Sequence, residues 1–256
     1  MWHQILNSRF FFCLADIIVD VICDEEPFLN GFAHRGILRG ATRIMKEGGE
    51  ALKEALETHP GYRLVITGHS LGAGTAVLIT MGLLKGHYNN IKTNNIQCIA
   101  LAAPPVFRSE SEIPDMKNHI KNFVNRNDIV PRLSLANMAK IVAMARAIDE
   151  IELNALDYAK IIAGIDDPEV NSNLEKLSNI VSKVKQDQFP YLEHPGNVYY
   201  FQQSKSDPQK FQVSNPTGKY FSESLLFFDN MVLDHLQPYY EAAFANVEFE
   251  EDGENT

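Results

Sequence analysis

The stretch that most constrains this chain is Thr67–Gly74, which reads TGHSLGAG. A short apolar run, Arg63–Ile66, precedes it, and an apolar stretch without proline, Leu71–Lys85, follows it. This order predicts a buried strand, a sharp turn and a buried helix. The turn contains the pattern G-x-S-x-G, in which a serine at a strained strand-to-helix corner raises its hydroxyl above the sheet. We therefore predict that Ser70 is a nucleophile.

Two further features of the turn bear on this prediction. Gly68 and Gly72 flank Ser70, and we expect the corner to leave no room for side chains at either glycine. Leu71 opens the predicted helix, so its backbone N–H lacks a partner within the helix and is a candidate oxyanion donor. Chance is the alternative explanation, because short patterns also occur at random. The strand before the serine and the helix after it favour the catalytic explanation.

The rest of the chain predicts a mostly parallel sheet covered by helices. Apolar residues recur at helical spacing from Ile37 to about Thr58. Strands alternating with helices are typical of α/β proteins, and 256 residues fit a single domain spanning 1–256. The other predicted elements are strands at Ile96–Ala103, His119–Val124 and Val198–Phe201, the last of these taken as the final main strand, and a terminal helix at Pro238–Ala245.

Two segments differ from this pattern. Residues 133–186 carry apolar residues at helical spacing and are predicted to be a helical insertion, since about fifty residues bury little surface alone. The insertion either packs over a face of the sheet or caps the active site, and the sequence leaves both explanations open. Residues 248–256 hold five acids and are predicted to be a solvated tail.

Composition limits the partners. A net charge of −10 argues against nucleic acid and against electrostatic docking on anionic lipid, so any contact with a lipid surface must be mainly apolar. Three scattered cysteines, Cys13, Cys23 and Cys98, are too few for a metal site or a disulfide framework. No transmembrane segment or clear signal peptide is visible. We predict a cytoplasmic protein that contacts membranes or lipid droplets peripherally and needs no cofactor or metal.

A serine hydroxyl becomes a useful nucleophile when an imidazole takes its proton and a carboxylate holds that imidazole. In this arrangement the partners follow the serine in the order acid, then histidine. Asp128 comes directly after a predicted strand, where parallel sheets place functional loops, and is the preferred acid. Asp149 and Asp207 are weaker candidates, because they lie in helical or polar linker sequence.

His235 is the preferred base, because it lies late in the chain after the last predicted strand. A surface residue near a helix start is the alternative explanation for it. His194 is a weaker candidate, and His34 precedes Ser70 and violates the order. His69 neighbours the serine, but we expect its side chain to point elsewhere on the turn.

Taken together, these residues resemble the class 3 lipase family, and most closely its sn-1-specific diacylglycerol lipases. The resemblance covers roughly residues 13–245. It is carried by four stretches: Gly31–Gly36, Gly68–Gly74, Phe123–Arg132 and Asp234-His235. It implies an α/β-hydrolase fold, with helices on both faces of the sheet and a helical insertion between acid and histidine. It also implies hydrolysis of acyl esters of glycerolipids, with Ser70 as nucleophile, Asp128 as orienting acid and His235 as general base. His34 is shared with the family and is expected to be structural.

One departure from the family pattern matters. The family has a strand ending in Arg-Gly-Thr or Arg-Gly-Ser, whose hydroxyl residue supplies a second oxyanion donor, whereas this chain reads Arg9-Phe10-Phe11-Phe12-Cys13. The preceding strands of the usual sheet are missing as well, so the N-terminal part of the family domain is expected to be incomplete. Loss of one oxyanion donor commonly costs about 10²–10³ in rate, so reduced activity is expected. The alternatives are a catalytically impaired lipase-fold binding protein, and a soluble carboxylesterase or thioesterase without lipid preference.

Overall fold

A computed structural model describes residues 25–248, apart from 89–90, 92–94, 110–115, 152–155, 158–159, 161–164, 184–190 and 224–229. The strands are β1 (Glu25–Phe28), β2 (Gly31–His34), β3 (Leu64–His69), β4 (Ile96–Leu101), β5 (Phe107–Ser109), β6 (Ile120–Asn125), β7 (Asn197–Gln203) and β8 (Phe211–Ser214). The helices are α1 (Arg35–Thr58), α2 (Leu71–Leu84), α3 (Met116–His119), α4 (Leu135–Ile151), α5 (Pro168–Ser182), α6 (Tyr220–Glu223) and α7 (Gln237–Ala245), with a 3₁₀ turn at Val130–Arg132.

The main sheet has five strands in the order β3-β4-β6-β7-β8. The first four strands run parallel, and β8 pairs antiparallel with β7. The prediction of a mostly parallel sheet is confirmed. The prediction that Val198–Phe201 is the last main strand is wrong, because β8 follows it as an edge strand. β8 has little apolar alternation, since only Phe211 is buried among its four residues.

The two faces of this sheet are covered by different helices. Cys98 and Ala100 share a buried cluster with α2, while Phe123 packs against the cluster that contains Ala243 of α7. Phe123 is in register with Leu101, the neighbour of Ala100, so it lies on the opposite face from Ala100. Helices therefore cover both faces, as expected. α2 also packs against α1, and burial on both sides explains why its sequence is apolar all round.

A small antiparallel sheet, in the order β1-β2-β5, leads into α1. Its last strand, β5, lies far from β2 in sequence and pairs with it from Gly31 to Ala33. His34 then caps α1: its ring Nδ1 accepts the N–H of Ile37 at 3.4 Å, and its own N–H donates to the Val106 carbonyl. The expectation that His34 is structural agrees with this position.

The chain divides into two compact units, and residues 134–191 form the second. Within this unit α4 and α5 contact each other. Asp167 begins α5, because its Oδ1 accepts the N–H groups of Glu169 and Val170 at 3.1 and 3.2 Å. Pro168 occupies the first helical position, where its missing N–H costs nothing. The sequence Asp166-Asp167-Pro168 therefore marks a helix start.

Among the helices that the structure describes, none combines the length and the apolar character needed to cross a bilayer. Residues 249–256 of the predicted acidic tail lie outside the described residues.

Candidate active site

Ser70 lies at the corner between β3 and α2, with φ 59° and ψ −131°. Positive φ is costly for a residue with a side chain, so the surrounding bonds must hold it. The Ser70 N–H donates to the Leu101 carbonyl at 2.9 Å, and its carbonyl accepts from Ala73 and Gly74 at 2.9 and 3.2 Å. Its Oγ is buried and has no hydrogen-bond partner within the described ranges. The corner therefore presents an uncommitted hydroxyl in a strained backbone conformation.

The two glycines beside Ser70 have different reasons to be glycine. A Cβ at Gly68 would collide with the backbone carbonyl of Gly72, so the expectation of no room is confirmed there. A Cβ at Gly72 meets no described atom within 4 Å, so the same expectation is wrong at that position. The corner therefore excludes a side chain at position 68, on the strand side, and has room for a Cβ at position 72, on the helix side.

Leu71 is the first residue of α2. The first N–H groups of a helix have no carbonyl partner within it, and the helix dipole adds positive character there. The Leu71 N–H adjoins Ser70 and remains the candidate oxyanion donor. The segment Arg9–Cys13, where a second donor would be sought, lies outside the described residues.

Asp128 follows β6, and its side chain is fully buried. His235 Nδ1 lies 3.0 Å from Oδ1 and 3.2 Å from Oδ2 of this carboxylate. The Val130 N–H donates to Oδ1 at 2.9 Å, and the Tyr240 hydroxyl donates to Oδ2 at 2.7 Å. A carboxylate at Nδ1 keeps the proton on that nitrogen, which leaves Nε2 of His235 as the acceptor. The structure thus brings together two of the three predicted residues across 107 positions of sequence.

Tyr240 is a site residue that the sequence analysis missed. It is fully buried in α7, donates to Asp128 and accepts the Asn125 N–H at 3.0 Å. Burial, followed by the nearby Asp128 charge, raises the pKa of Tyr240 well above its ordinary value, so the hydroxyl stays protonated as a donor. No local pattern identifies it, because 112 residues separate it from Asp128.

Replacing Tyr240 with phenylalanine is expected to lower the free energy of unfolding by about 1–3 kcal/mol. The reason is that the buried Asp128 carboxylate loses one donor and the Asn125 N–H loses its acceptor. Urea unfolding followed by circular dichroism measures the change. Tyr239→Phe is the matched control, since Tyr239 is 38% exposed, and should stay within about 0.5 kcal/mol of the parent. Equal values for the two variants would contradict the assignment of Tyr240.

Asp234 fastens the loop that carries His235 to the loop that carries Asp128. Its buried Oδ2 accepts the Asn127 N–H at 3.1 Å, and its backbone carbonyl accepts from Asn125 Nδ2 at 3.1 Å. Arg126 lies 3.7 Å from its Oδ1. Burial raises the pKa of Asp234, while the Asn127 bond and Arg126 act in the opposite direction. These contacts hold His235 beside Asp128.

The other histidines have different roles. The His69 side chain makes no hydrogen bond with the Ser70 hydroxyl; its Nε2 lies 2.8 Å from the His235 carbonyl oxygen. His194 is buried with both ring nitrogens near carbonyl oxygens, those of Gly218 and Ala103, at 3.1 and 2.9 Å. Its burial lowers its pKa, and its nitrogens face the backbone and not a nucleophile. Among the candidate acids, Asp207 caps a turn through the Gln209 N–H.

Comparison with known proteins matches residues 13–138 to the model of the lipase (class 3) family. That segment, just under half of the chain, is similar to the class 3 lipases. The match includes Ser70, Leu71 and Asp128, whereas His235 lies beyond its end. The resemblance inferred from the motifs is thus confirmed over a shorter range than the expected 13–245.

Two curated relatives illustrate the similarity. Mouse diacylglycerol lipase-beta is 31% identical over 135 residues, which is 49% of this chain and 19% of that protein. A lipase of Rhizopus niveus is 26% identical over 131 residues, 50% of this chain and 32% of that protein. The chain therefore spans less than a third of the length of each of these relatives.

Among solved structures, the Rhizomucor miehei lipase propeptide complex aligns with a TM-score of 0.50 at 18% identity, over 88% of this chain and 56% of that one. At this identity the likeness concerns the fold alone. Together with the mixed sheet and its helices, it confirms the α/β-hydrolase fold.

Proposed function

We propose that this chain is a serine hydrolase of the class 3 lipase type that cleaves acyl esters of glycerolipids, with Ser70, Asp128 and His235 as its triad. The observation that carries the proposal is the hydrogen bond between His235 Nδ1 and the buried Asp128 carboxylate. A buried carboxylate on one imidazole nitrogen prepares the other nitrogen to take a proton. The uncommitted Ser70 hydroxyl supplies that proton.

The proposed acylation begins with attack of Ser70 Oγ on the ester carbonyl carbon. His235 Nε2 takes the hydroxyl proton as the new C–O bond forms, and the carbonyl oxygen becomes an oxyanion. His235 then gives this proton to the alkoxide oxygen of the leaving glycerol. The carbon–oxygen bond to glycerol breaks, and the acyl group remains esterified to Ser70.

Deacylation repeats these steps with water. His235 takes a proton from the water, whose oxygen attacks the acyl carbon, and then returns the proton to Ser70 Oγ. The products are a free fatty acid and the regenerated hydroxyl. Throughout, the buried Asp128 carboxylate stabilises the imidazolium that His235 becomes, because opposite charges in a buried site attract strongly.

The Leu71 N–H is the proposed oxyanion donor, because it belongs to the first helical residue after the nucleophile. A donor aimed at the developing charge stabilises the transition state more than the ground state. The expected rate deficit from the Arg9–Cys13 sequence concerns residues outside those described, and it stays a prediction.

Glycerolipid is the proposed substrate class because both curated relatives named above are lipases, one of them a diacylglycerol lipase. Contact with a lipid surface and a cytoplasmic location also remain proposals. With a net charge of −10, such contact would use apolar side chains.

Partitioning of the acyl group tests the mechanism and the substrate class together. We expect the chain to hydrolyse diacylglycerol dispersed in detergent, and also two butyrate esters with different leaving groups, p-nitrophenol and methylumbelliferone. With methanol present, a shared acyl-enzyme predicts the same ratio of methyl butyrate to butyric acid from both esters. Product ratios that differ with the leaving group would contradict the acyl-enzyme. Cleavage of the butyrates without any release of fatty acid from diacylglycerol would contradict the lipid substrate.

A further inference from the structure

The side chain that precedes the nucleophile contacts the residue proposed as the base. His69 Nε2 lies 2.8 Å from the backbone carbonyl oxygen of His235. The two rings lie 4.6 Å apart between centroids at an angle of 37°. Because a carbonyl oxygen only accepts hydrogen bonds, Nε2 of His69 carries the proton and donates it.

We propose that His69 is a positioning residue, whose bond to the His235 carbonyl sets the distance between nucleophile and base. The proposal rests on the proposed function, since it takes Ser70 as nucleophile and His235 as base. His69 is joined to Ser70 by a peptide bond, and the corner around Ser70 between β3 and α2 is called the elbow below. One short side chain thus spans from the elbow to the loop that carries His235.

The other contacts of His235 explain why this bond is needed. Asp128 orients the ring through Nδ1, and Asp234 fastens the preceding residue to the loop after β6. Both contacts fix the position of His235 relative to Asp128 and β6. The bond from His69 instead fixes its position relative to β3 and the elbow. Small errors in the position of a catalytic group carry large losses in rate, so a direct link between base and nucleophile is valuable.

The charge state of His69 suits this role. Burial first, and then the neighbouring His235, lower the pKa of His69, while its bond to the His235 carbonyl and the Asp128 charge raise it. The Tyr240 ring also faces His69, edge-on at 6.0 Å, and stays uncharged. A neutral donor holds His235 without placing a second positive charge beside it, which would oppose its protonation in catalysis.

Two substitutions separate the hydrogen bond from the ring. His69→Phe keeps an aromatic ring and removes the donor, whereas His69→Gln keeps a terminal N–H at similar reach. His59→Phe is the matched control, because His59 is exposed at the end of α1. We measure the rate at which a fluorophosphonate labels Ser70, and the downfield proton resonance of His235 Nδ1–H by NMR. His69→Phe should slow labelling about tenfold and broaden the resonance through faster exchange with water. His69→Gln should stay within about threefold of the parent.

The outcomes distinguish the inference from the proposed function. Labelling and resonance at parental values in His69→Phe would overturn the role of His69 and leave Ser70 as nucleophile. If the parent chain is not labelled, the proposed function fails and the resonance alone decides: its broadening in His69→Phe supports positioning, and its retention overturns it. If His69→Phe does not fold, His69→Gln decides: near-parental labelling supports the proposal, and a tenfold loss in the folded variant overturns it.

Discussion

Replacing Asp128 with asparagine is expected to lower kcat for ester hydrolysis by about 10⁴-fold. The carboxylate accepts from His235, Val130 and Tyr240, whereas an amide has one acceptor oxygen and one donor group. The Val130 N–H holds the amide oxygen at the Oδ1 position, so the NH₂ group takes the Oδ2 position, beside Tyr240 and 3.2 Å from Nδ1 of His235. A donor group beside Nδ1 favours the tautomer in which Nδ1 accepts and Nε2 carries the proton. In that tautomer His235 cannot take the serine proton.

Asp207→Asn is the matched control for this prediction. Asp207 was a candidate acid from sequence, yet in the structure its carboxylate caps a turn through the Gln209 N–H at 2.9 Å. An asparagine oxygen can accept the same bond, so we expect kcat within about twofold of the parent. Steady-state kinetics on p-nitrophenyl butyrate compare the variants, and circular dichroism confirms that each is folded. A folded Asp128→Asn protein that loses less than tenfold in kcat would refute the role of Asp128.

Replacing Ser70 with alanine is expected to remove hydrolysis almost completely, by up to about 10⁶-fold in kcat. The substitution deletes the nucleophile and leaves the Leu71 N–H and the Asp128–His235 pair in place. Stability should change little, because the Oγ makes no hydrogen bond with the described residues. Ser182→Ala is the control, since the Ser182 hydroxyl is exposed and donates to the Asn179 carbonyl of its own helix. Butyrate hydrolysis and thermal unfolding are compared for both variants, and a folded Ser70→Ala protein with parental activity would contradict the mechanism.

Local sequence pattern was sufficient to locate the elbow and the proposed acid, Asp128. The apolar run before Thr67 and the apolar helix after Ser70 are signals within about ten residues, and β3 and α2 formed where they predicted. Asp128 was identified by its position directly after a strand, and β6 ends three residues before it. These residues depend on secondary structure that nearby sequence specifies.

The contacts that depend on distant packing could not be predicted. Tyr240 meets Asp128 across 112 residues, and His69 meets His235 across 166. No periodicity links such pairs, because they come together only when β6, α7 and the elbow pack around one site. The pairing of β5 with β2 was not predicted either, because the two strands lie far apart in sequence. In addition, the three residues of β5 are too few to show a strand pattern.

The open side of the elbow shows a further limit of sequence patterns. Glycine at 68 is required by the backbone of Gly72, whereas glycine at 72 meets no described atom that would exclude a side chain. Both glycines belong to the motif, so the sequence alone cannot tell that glycine is sterically required at position 68 and not at position 72.

Active-site labelling tests the central claim most directly, because only a serine activated by a neighbouring base reacts quickly with a fluorophosphonate. The parent chain, Ser70→Ala and Asp128→Asn are treated with the probe, digested, and mapped by mass spectrometry. We predict one adduct on Ser70 in the parent chain, none in Ser70→Ala, and strongly slowed labelling in Asp128→Asn. An adduct on another residue of the parent chain, or undiminished labelling of Ser70→Ala, would contradict the account.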